Sequence, residues 1–318
     1  MQPRLMFEAF SPTTVSLKVL VGSFAMAMLL GAGPIAAQTA LPTLPLQSRI
    51  EGAARAMAKE HRMNDAQARQ MESLVEFVVG NMLFVAVHEM GHGLIAEMRL
   101  PVLGREEDAA DSFAIVTGIN MGTDMSYRVL AEATKGWFLS DKRDTRDGEP
   151  MAYYDEHGLN QQRAYQIVCL MVGADPVRFK ELADQTKLPE DRRETCRRDY
   201  STAEFSWDFV LKPHRRSSDQ PKIEVKLNYG EGKGDLKIYE RTFRDLRFLE
   251  MLAENAAEKF VWSPGAIEME IRSCGEVNAF WSIKNRKLNI CYEMARDFAQ
   301  LYRDFGPDQK SSKRKQKR

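Results

Sequence analysis

The stretch "FVAVHEMGHGLIAEMRLPVLGREEDAADSFA" (84–114) constrains this chain more than any other, because it sets two histidines four apart inside an apolar run. The apolar pattern over about 71–98 has a helical period, and Pro101 marks its end. On a helix, His88 and His92 lie one turn apart and project from the same face. Phe84, Val85 and Ile95 share that stripe and would bury it. Glu89 lies about 100° round the helix from His88, off the face of the pair but able to reach a water held there. Gly91 permits close approach of another backbone. The plain alternative is an amphipathic helix that happens to contain histidine. A histidine that only fills a core needs neither a second one at i+4 nor a glutamate beside it. In a chain with five histidines, HExxH arises by composition on the order of once in a hundred.

Read as chemistry, the pair offers two donors to one cation. A catalytic zinc (Zn2+) takes three protein ligands and keeps a fourth position for water, so a third donor is expected nearby. "EEDAAD" (106–111) supplies it after a break marked by Pro101 and Gly104. A second helix is expected from about Arg105 to residue 119, with Glu107 and Asp111 four apart on one face. The spacing gives Glu107 to the metal and Asp111 to the outer N–H of a ligand histidine, His88, whose tautomer it would fix. Glu106 and Asp108 are expected to point elsewhere, as first-turn charges that suit the helix dipole.

The rest of the chain sets the context. With 318 residues, 44% hydrophobic and 28% charged, it can bury one large core or two small ones. Lys plus Arg equals Asp plus Glu at 45 each, so no global field favours nucleic acid. The basic run "QKSSKRKQKR" reads as a solvated tail over 307–318. "VLVGSFAMAMLLGAG" (19–33), preceded by Arg4 and Lys18 and followed by small residues, has the order of a secretory signal. Cleavage near Ala37 or Ala40 would leave a periplasmic or secreted protein. The other reading is an uncleaved inner-membrane anchor, for which the run is short; any membrane contact is then through this segment alone, and no other segment is expected to span. "ALPTLPLQ" belongs to a linker over 38–48.

Beyond it, the pattern predicts an α+β, helix-dominated domain over 49–306, with a subdomain boundary at 211–221. Helices are expected at about 49–69, 71–98, 105–119, from 124, 159–173 and 177–210, the last broken at Pro189. A charged loop occupies 142–150. "KIEVKLNYG" and "DLKIYE" alternate like strands around the turn "GEGKG". A helix at 243–260 follows. Then "AIEMEIRSC", "VNAFWSIK" and "KLNICYE" suggest strands, the last two a hairpin turning at Asn285–Arg286, in a small C-terminal antiparallel sheet. A final helix covers 292–304. The cysteines Cys169, Cys196, Cys274 and Cys291 form no CxxC knuckle and allow three connectivities; Cys169–Cys196 and Cys274–Cys291 close the shortest loops. His61 and His214 read as surface residues. Glu276, Asn278 and Glu293 flank the hairpin and read as structural.

HEMGH followed by Glu107-x-x-x-Asp111 resembles the gluzincin metallopeptidases, which hold zinc with two histidines and a glutamate from a second helix. More closely, the chain is similar to DUF4344, a family of bacterial metallopeptidases. The likeness rests on "HEMGHGLI", "LPVLGREEDAADSFA", "DEHGLNQQRAYQIVCLMVGADP", "LPEDRRETC" and "CGEVNAFWSIKNRKLNICYE", from about residue 75 to 295. The resemblance implies a zinc-dependent hydrolysis of peptide or protein substrates with Glu89 as general base, on a gluzincin-like pair of helices. Trp281 stands where the family leads one to expect tyrosine, with no bearing on the zinc chemistry. The oxyanion needs a donor besides zinc. His157 in "YYDEHGL" is the candidate, with Tyr165 and Arg163 behind it and Asp155 to orient it; capping the helix at 159 is the other reading for His157. A non-catalytic, zinc-stabilised binding or assembly protein would keep the ligands but has no use for Glu89.

Overall fold

The computed structural model describes residues 45–306; the expected signal, residues 38–44 of the linker and the basic tail lie outside the described residues. Its first elements are the helices α1 (Leu46–Glu60) and α2 (Asp65–Met98). Helix α2 starts at a capping box: the Gln67 N–H donates to Asn64 Oδ1 (3.0 Å) and the Asn64 N–H to Gln67 Oε1 (2.9 Å). These satisfy two donors that a helix start leaves unpaired. It stops where Arg99 turns left-handed (φ 51°), two residues before Pro101. Between Val75 and Ile95 it is apolar, and buried, nearly all round, as a helix at the centre of a core must be. Contrary to the expectation from sequence, α2 is long and apolar enough to cross a membrane. Yet 72% of its apolar window is buried inside the fold.

The other helices are laid round it. α3 (Glu106–Met121) and α4 (Asp124–Asp147) pack on α2; α5 (Asn160–Ala174) packs on α4; the short α6 (Lys180–Gln185) leads to α7 (Glu190–Leu211), which runs along α5. The disulfide Cys169–Cys196 fastens α5 to α7, with Cα atoms 5.1 Å apart. Residues 212–224 carry the chain to β1 (Val225–Tyr229). Then come α8 (Lys237–Asp245), α9 (Phe248–Lys259), β2 (Ile267–Arg272), β3 (Ala279–Ser282), β4 (Lys287–Cys291) and α10 (Tyr292–Phe305), which returns to α2. The fold is therefore helix-dominated α+β.

The sheet is mixed rather than antiparallel. Its order is β1-β2-β4-β3, with β1–β2 and β2–β4 parallel and only the β3–β4 hairpin antiparallel. The cause is "DLKIYE", which is not a strand: it forms a single 3₁₀ turn and the start of α8. Its alternation is too short to decide. Over a longer window, the deeply buried Leu236, Phe243 and Leu246 fall at helical spacing. With α8 and α9 as a crossover, β2 re-enters in the direction of β1, which a parallel pair requires. The hairpin turns through residues 283–286, with Arg286 at φ 51°. Cys274–Cys291 ties the segment after β2 to the end of β4.

Two glycines let neighbours close on α2. A Cβ on Gly91 would lie 3.2 Å from Ala110 Cα in α3, and one on Gly93 would lie 2.8 Å from the Trp281 indole of β3. Gly→Ala in a helix interior otherwise stabilises by about 1 kcal/mol, whereas overpacking costs about 1–3 kcal/mol. Gly93→Ala is thus expected to be net destabilising by about 1 kcal/mol, lowering the melting temperature by roughly 2–4 °C. A variant that melts at or above the parent in calorimetry would show that the indole does not bear on α2.

Candidate metal centre

Where α3 crosses α2 beside Gly91, three donor atoms converge. His88 Nε2 and His92 Nε2 are 3.2 Å apart; Glu107 Oε2 lies 3.1 Å from the first and 3.4 Å from the second. Ligands bound to a tetrahedral zinc at about 2.0–2.1 Å stand about 3.3–3.4 Å from one another, so the spacing suits such an ion. The tautomers suit it as well. His88 Nδ1 donates to Asp111 Oδ1 and His92 Nδ1 to Glu106 Oε1, both at 2.8 Å. A carboxylate only accepts, so each neutral ring carries its hydrogen on Nδ1 and turns the Nε2 lone pair inward. Two lone pairs and a carboxylate oxygen facing one point repel unless a cation or proton lies among them.

The electrostatics agree in sign. Burial alone pulls both imidazoles down, but the carboxylates overcome it. Asp111 and Glu107 bring His88 net upward, and Glu107 and Glu106 push His92 up to about 9. Burial opposes ionisation of Glu107, yet hydrogen bonds from His157, His88 and His92 hold it far below the usual carboxylate range. A site that favours positive charge on two imidazoles favours a metal ion in place of those protons.

Asp111 is 4% exposed at its side chain. Arg163 of α5 grips it through two bonds of 2.7 Å, Nε to Oδ2 and Nη2 to Oδ1, the strongest geometry for such a pair. Burial pushes the Asp111 carboxyl up, but His88 and Arg163 bring it below its ordinary value. The guanidinium in turn lies 3.8 Å over the centroid of Trp137. Glu89 sits on the other side of the pair, where its Oε2 accepts the main-chain N–H of Trp281 at 3.2 Å. Burial raises its carboxyl, the two histidines only partly countering it. The tie to β3 uses backbone, so tryptophan in place of the tyrosine expected at residue 281 leaves it intact.

His157 comes from the loop before α5. Its Nε2 is 2.9 Å from Glu107 Oε2, and its Nδ1 is 3.1 Å from Asp155 Oδ1, which also accepts the His157 main-chain N–H at 2.8 Å. Its ring lies stacked 6.2 Å from that of His88. The helix start is capped by Gln162 on the Leu159 N–H instead, so His157 is placed at the centre and not at the cap.

Two expectations need correction. Glu106 does not point elsewhere: it holds the outer nitrogen of His92, while Asp108 does turn away, onto Arg105 (2.9 and 3.0 Å). Arg163, expected behind His157, acts on that ring and also carries the charge that balances Asp111. Tyr165 is not brought to the site; its hydroxyl donates to the Thr186 carbonyl (3.0 Å), because two residues beyond Arg163 lie about 200° round the helix. A second group of potential donors, Cys274, Cys291 and Glu293, is committed to structure. The sulfurs form a disulfide, and Glu293 accepts the N–H groups of Cys274 (3.0 and 3.1 Å) and Gly275 (2.7 Å).

Fold and site together define a helix-dominated α+β protein with a His–His–Glu donor set on two crossed helices and a half-buried glutamate beside it. A family model, DUF4344, described as "Putative metallopeptidase", matches residues 45–211 and 232–318, and the chain belongs to that family. No curated protein and no solved structure matches it. The family's description points to a metal-dependent hydrolase acting on peptide or protein substrates.

Proposed function

We propose that this protein is a zinc-dependent peptidase that works outside the cytoplasm, with His88, His92 and Glu107 as ligands and Glu89 as general base. The observation that carries the reading is the convergence of two Nε2 lone pairs and one carboxylate oxygen within 3.1–3.4 Å, with the raised carboxyl of Glu89 beside them. The order of helices, HExxH first and the glutamate on the next, is that of the gluzincins. When bound, zinc supplies a Lewis acid that polarises a carbonyl and acidifies water.

The chain's own groups do the rest. Asp111 and Glu106 hold the ligand rings in one tautomer. The Trp281 N–H fixes one oxygen of Glu89, so the carboxylate is aimed before substrate arrives. Glu89 takes a proton from the attacking water and passes it to the nitrogen of the leaving amine. His157 is half exposed at the rim and raised chiefly by Glu107; its Nε2–H, now on Glu107 Oε2, would turn from that carboxylate to the carbonyl oxygen as the latter gains charge, while Asp155 keeps Nδ1. The signal-like segment 19–33 accounts for export, and the two disulfides suit an oxidising compartment.

The test is metal analysis together with peptide-library cleavage. The purified protein is expected to hold one equivalent of zinc, to lose it on His92→Ala, and to stop cleaving when a chelator strips it. A fully loaded protein that cleaves nothing in the library would leave a binding protein stabilised by its metal.

A further inference from the structure

We propose that a cavity on a different face of α2 from the histidines binds a long-chain fatty acid. The cavity has a volume of about 920 Å³ and lies between the start of α1, α2, α3, the first turns of α4, the second half of α7, and α9. Its walls are formed by side chains such as Phe84, Val87, Met90, Phe113, Trp207 and Leu252. This is toward the upper end of the roughly 300–1,000 Å³ that small-molecule sites occupy. Apolar walls facing open space forgo dispersion contacts on one side, which a hydrocarbon chain would restore.

Charge at the edge selects the head group. Four cations and two acids line the cavity: Arg49, Arg215, Arg216 and Lys259 against Glu204 and Asp208. Arg215 is paired with Asp208 (2.6 Å) and Arg216 with Glu258 (2.9 Å), while Glu204 accepts the Tyr200 hydroxyl (2.7 Å). Lys259 is exposed and has no acidic partner among the described residues, and partial burial pulls its ammonium pKa down. Arg49 donates through Nη1 to the Leu246 carbonyl, but its buried Nε has no partner. The buried Arg49 Nε thus lacks an acceptor, a costly arrangement that a carboxylate would relieve, and the exposed Lys259 at the mouth adds an unpaired positive charge beside it.

The walls are helices, whose main-chain groups are already paired internally. They offer no ladder to a peptide backbone, which would be left unsatisfied there. At the rim, Phe205 is 68% exposed and stacked on Phe209 at 5.9 Å. An apolar entrance of this kind suits a ligand that enters tail first.

The experiment titrates the full chain with a fluorescent fatty acid and, separately, with the methyl ester of the same chain. Saturable one-to-one binding is expected, with the acid about tenfold tighter, the value of one charge-assisted hydrogen bond. Lys259→Met, with Arg49 still in place, is expected to narrow the gap between acid and ester by weakening the acid and to leave the ester unchanged. Thr117→Trp, which fills the cavity, is expected to abolish both. Should that variant fail to fold, the acid–ester comparison in Lys259→Met decides alone. The proposal is overturned by absence of saturable binding, by equal affinity for acid and ester in the parent, or by an acid preference that is undiminished in Lys259→Met. One-to-one displacement of the probe by an unacylated apolar peptide also overturns it.

Discussion

Glu89→Gln is expected to cut peptide cleavage by about 10²–10⁴-fold, the usual contribution of a general acid–base group, while the zinc content stays at one equivalent. Glutamine has nearly the same shape, and its amide oxygen can still accept the Trp281 N–H seen on Glu89 Oε2. None of the three converging donors is touched. What disappears is a basic oxygen that can hold a proton between water and leaving amine. The measurement is kcat/KM on a substrate drawn from the library, with metal analysis of the same preparation. Full activity in the variant would place the base elsewhere or expose a contaminating peptidase. Loss of activity together with loss of zinc would mean that Glu89 serves the ligands and not the proton.

Arg163→Met is expected to cost about 3–5 kcal/mol of stability, because it removes the partner of a buried carboxylate and leaves that charge behind. At roughly 2–4 °C per kcal/mol, the melting temperature should fall by about 6–20 °C. The double variant Asp111→Asn/Arg163→Met should recover part of the loss, since the orphaned charge goes with its partner. The pH dependence has a definite sign. The Asp111 pKa is lowered in the folded state, so its contribution is complete above the unfolded carboxylate value of about 3.9 and is lost as pH falls toward the folded one. Removing Arg163 raises the folded value, which shrinks the contribution and moves acid unfolding to higher pH. Circular dichroism across an acid titration measures this. Equal melting temperatures for parent and Arg163→Met would show that the pair is not held as described.

The parts of this centre that follow a helical repeat are legible in the residue order alone. His88 with His92, and Glu107 with Asp111, are each four apart, and that spacing fixes a shared face whatever the tertiary fold does. What the repeat cannot supply is the rotation and crossing of α3 against α2. That crossing decides that Glu106, one residue from Glu107, also reaches a histidine. Arg163 arrives from 52 residues beyond Asp111, and no local pattern announces such a meeting. The Trp281 contribution is a backbone N–H, which leaves no mark on residue identity at all. In the sheet, the β3–β4 hairpin is readable from its alternation and turn. The parallel pairing is not, because it depends on whether nine residues from Lys237 to Asp245 form a helix, and six alternating positions fit either state.

Before the chain has folded, residues 77–96 are an insertion hazard: twenty residues with one charged side chain among them, Glu89. A lipid bilayer would accept most of that stretch, and so would another copy of it. A charge near the middle of a spanning helix adds about 2.5–3.5 kcal/mol to the cost of partitioning. The carboxylate proposed as general base is therefore also what discourages the greasiest segment among the described residues from dissolving in lipid while the chain is young.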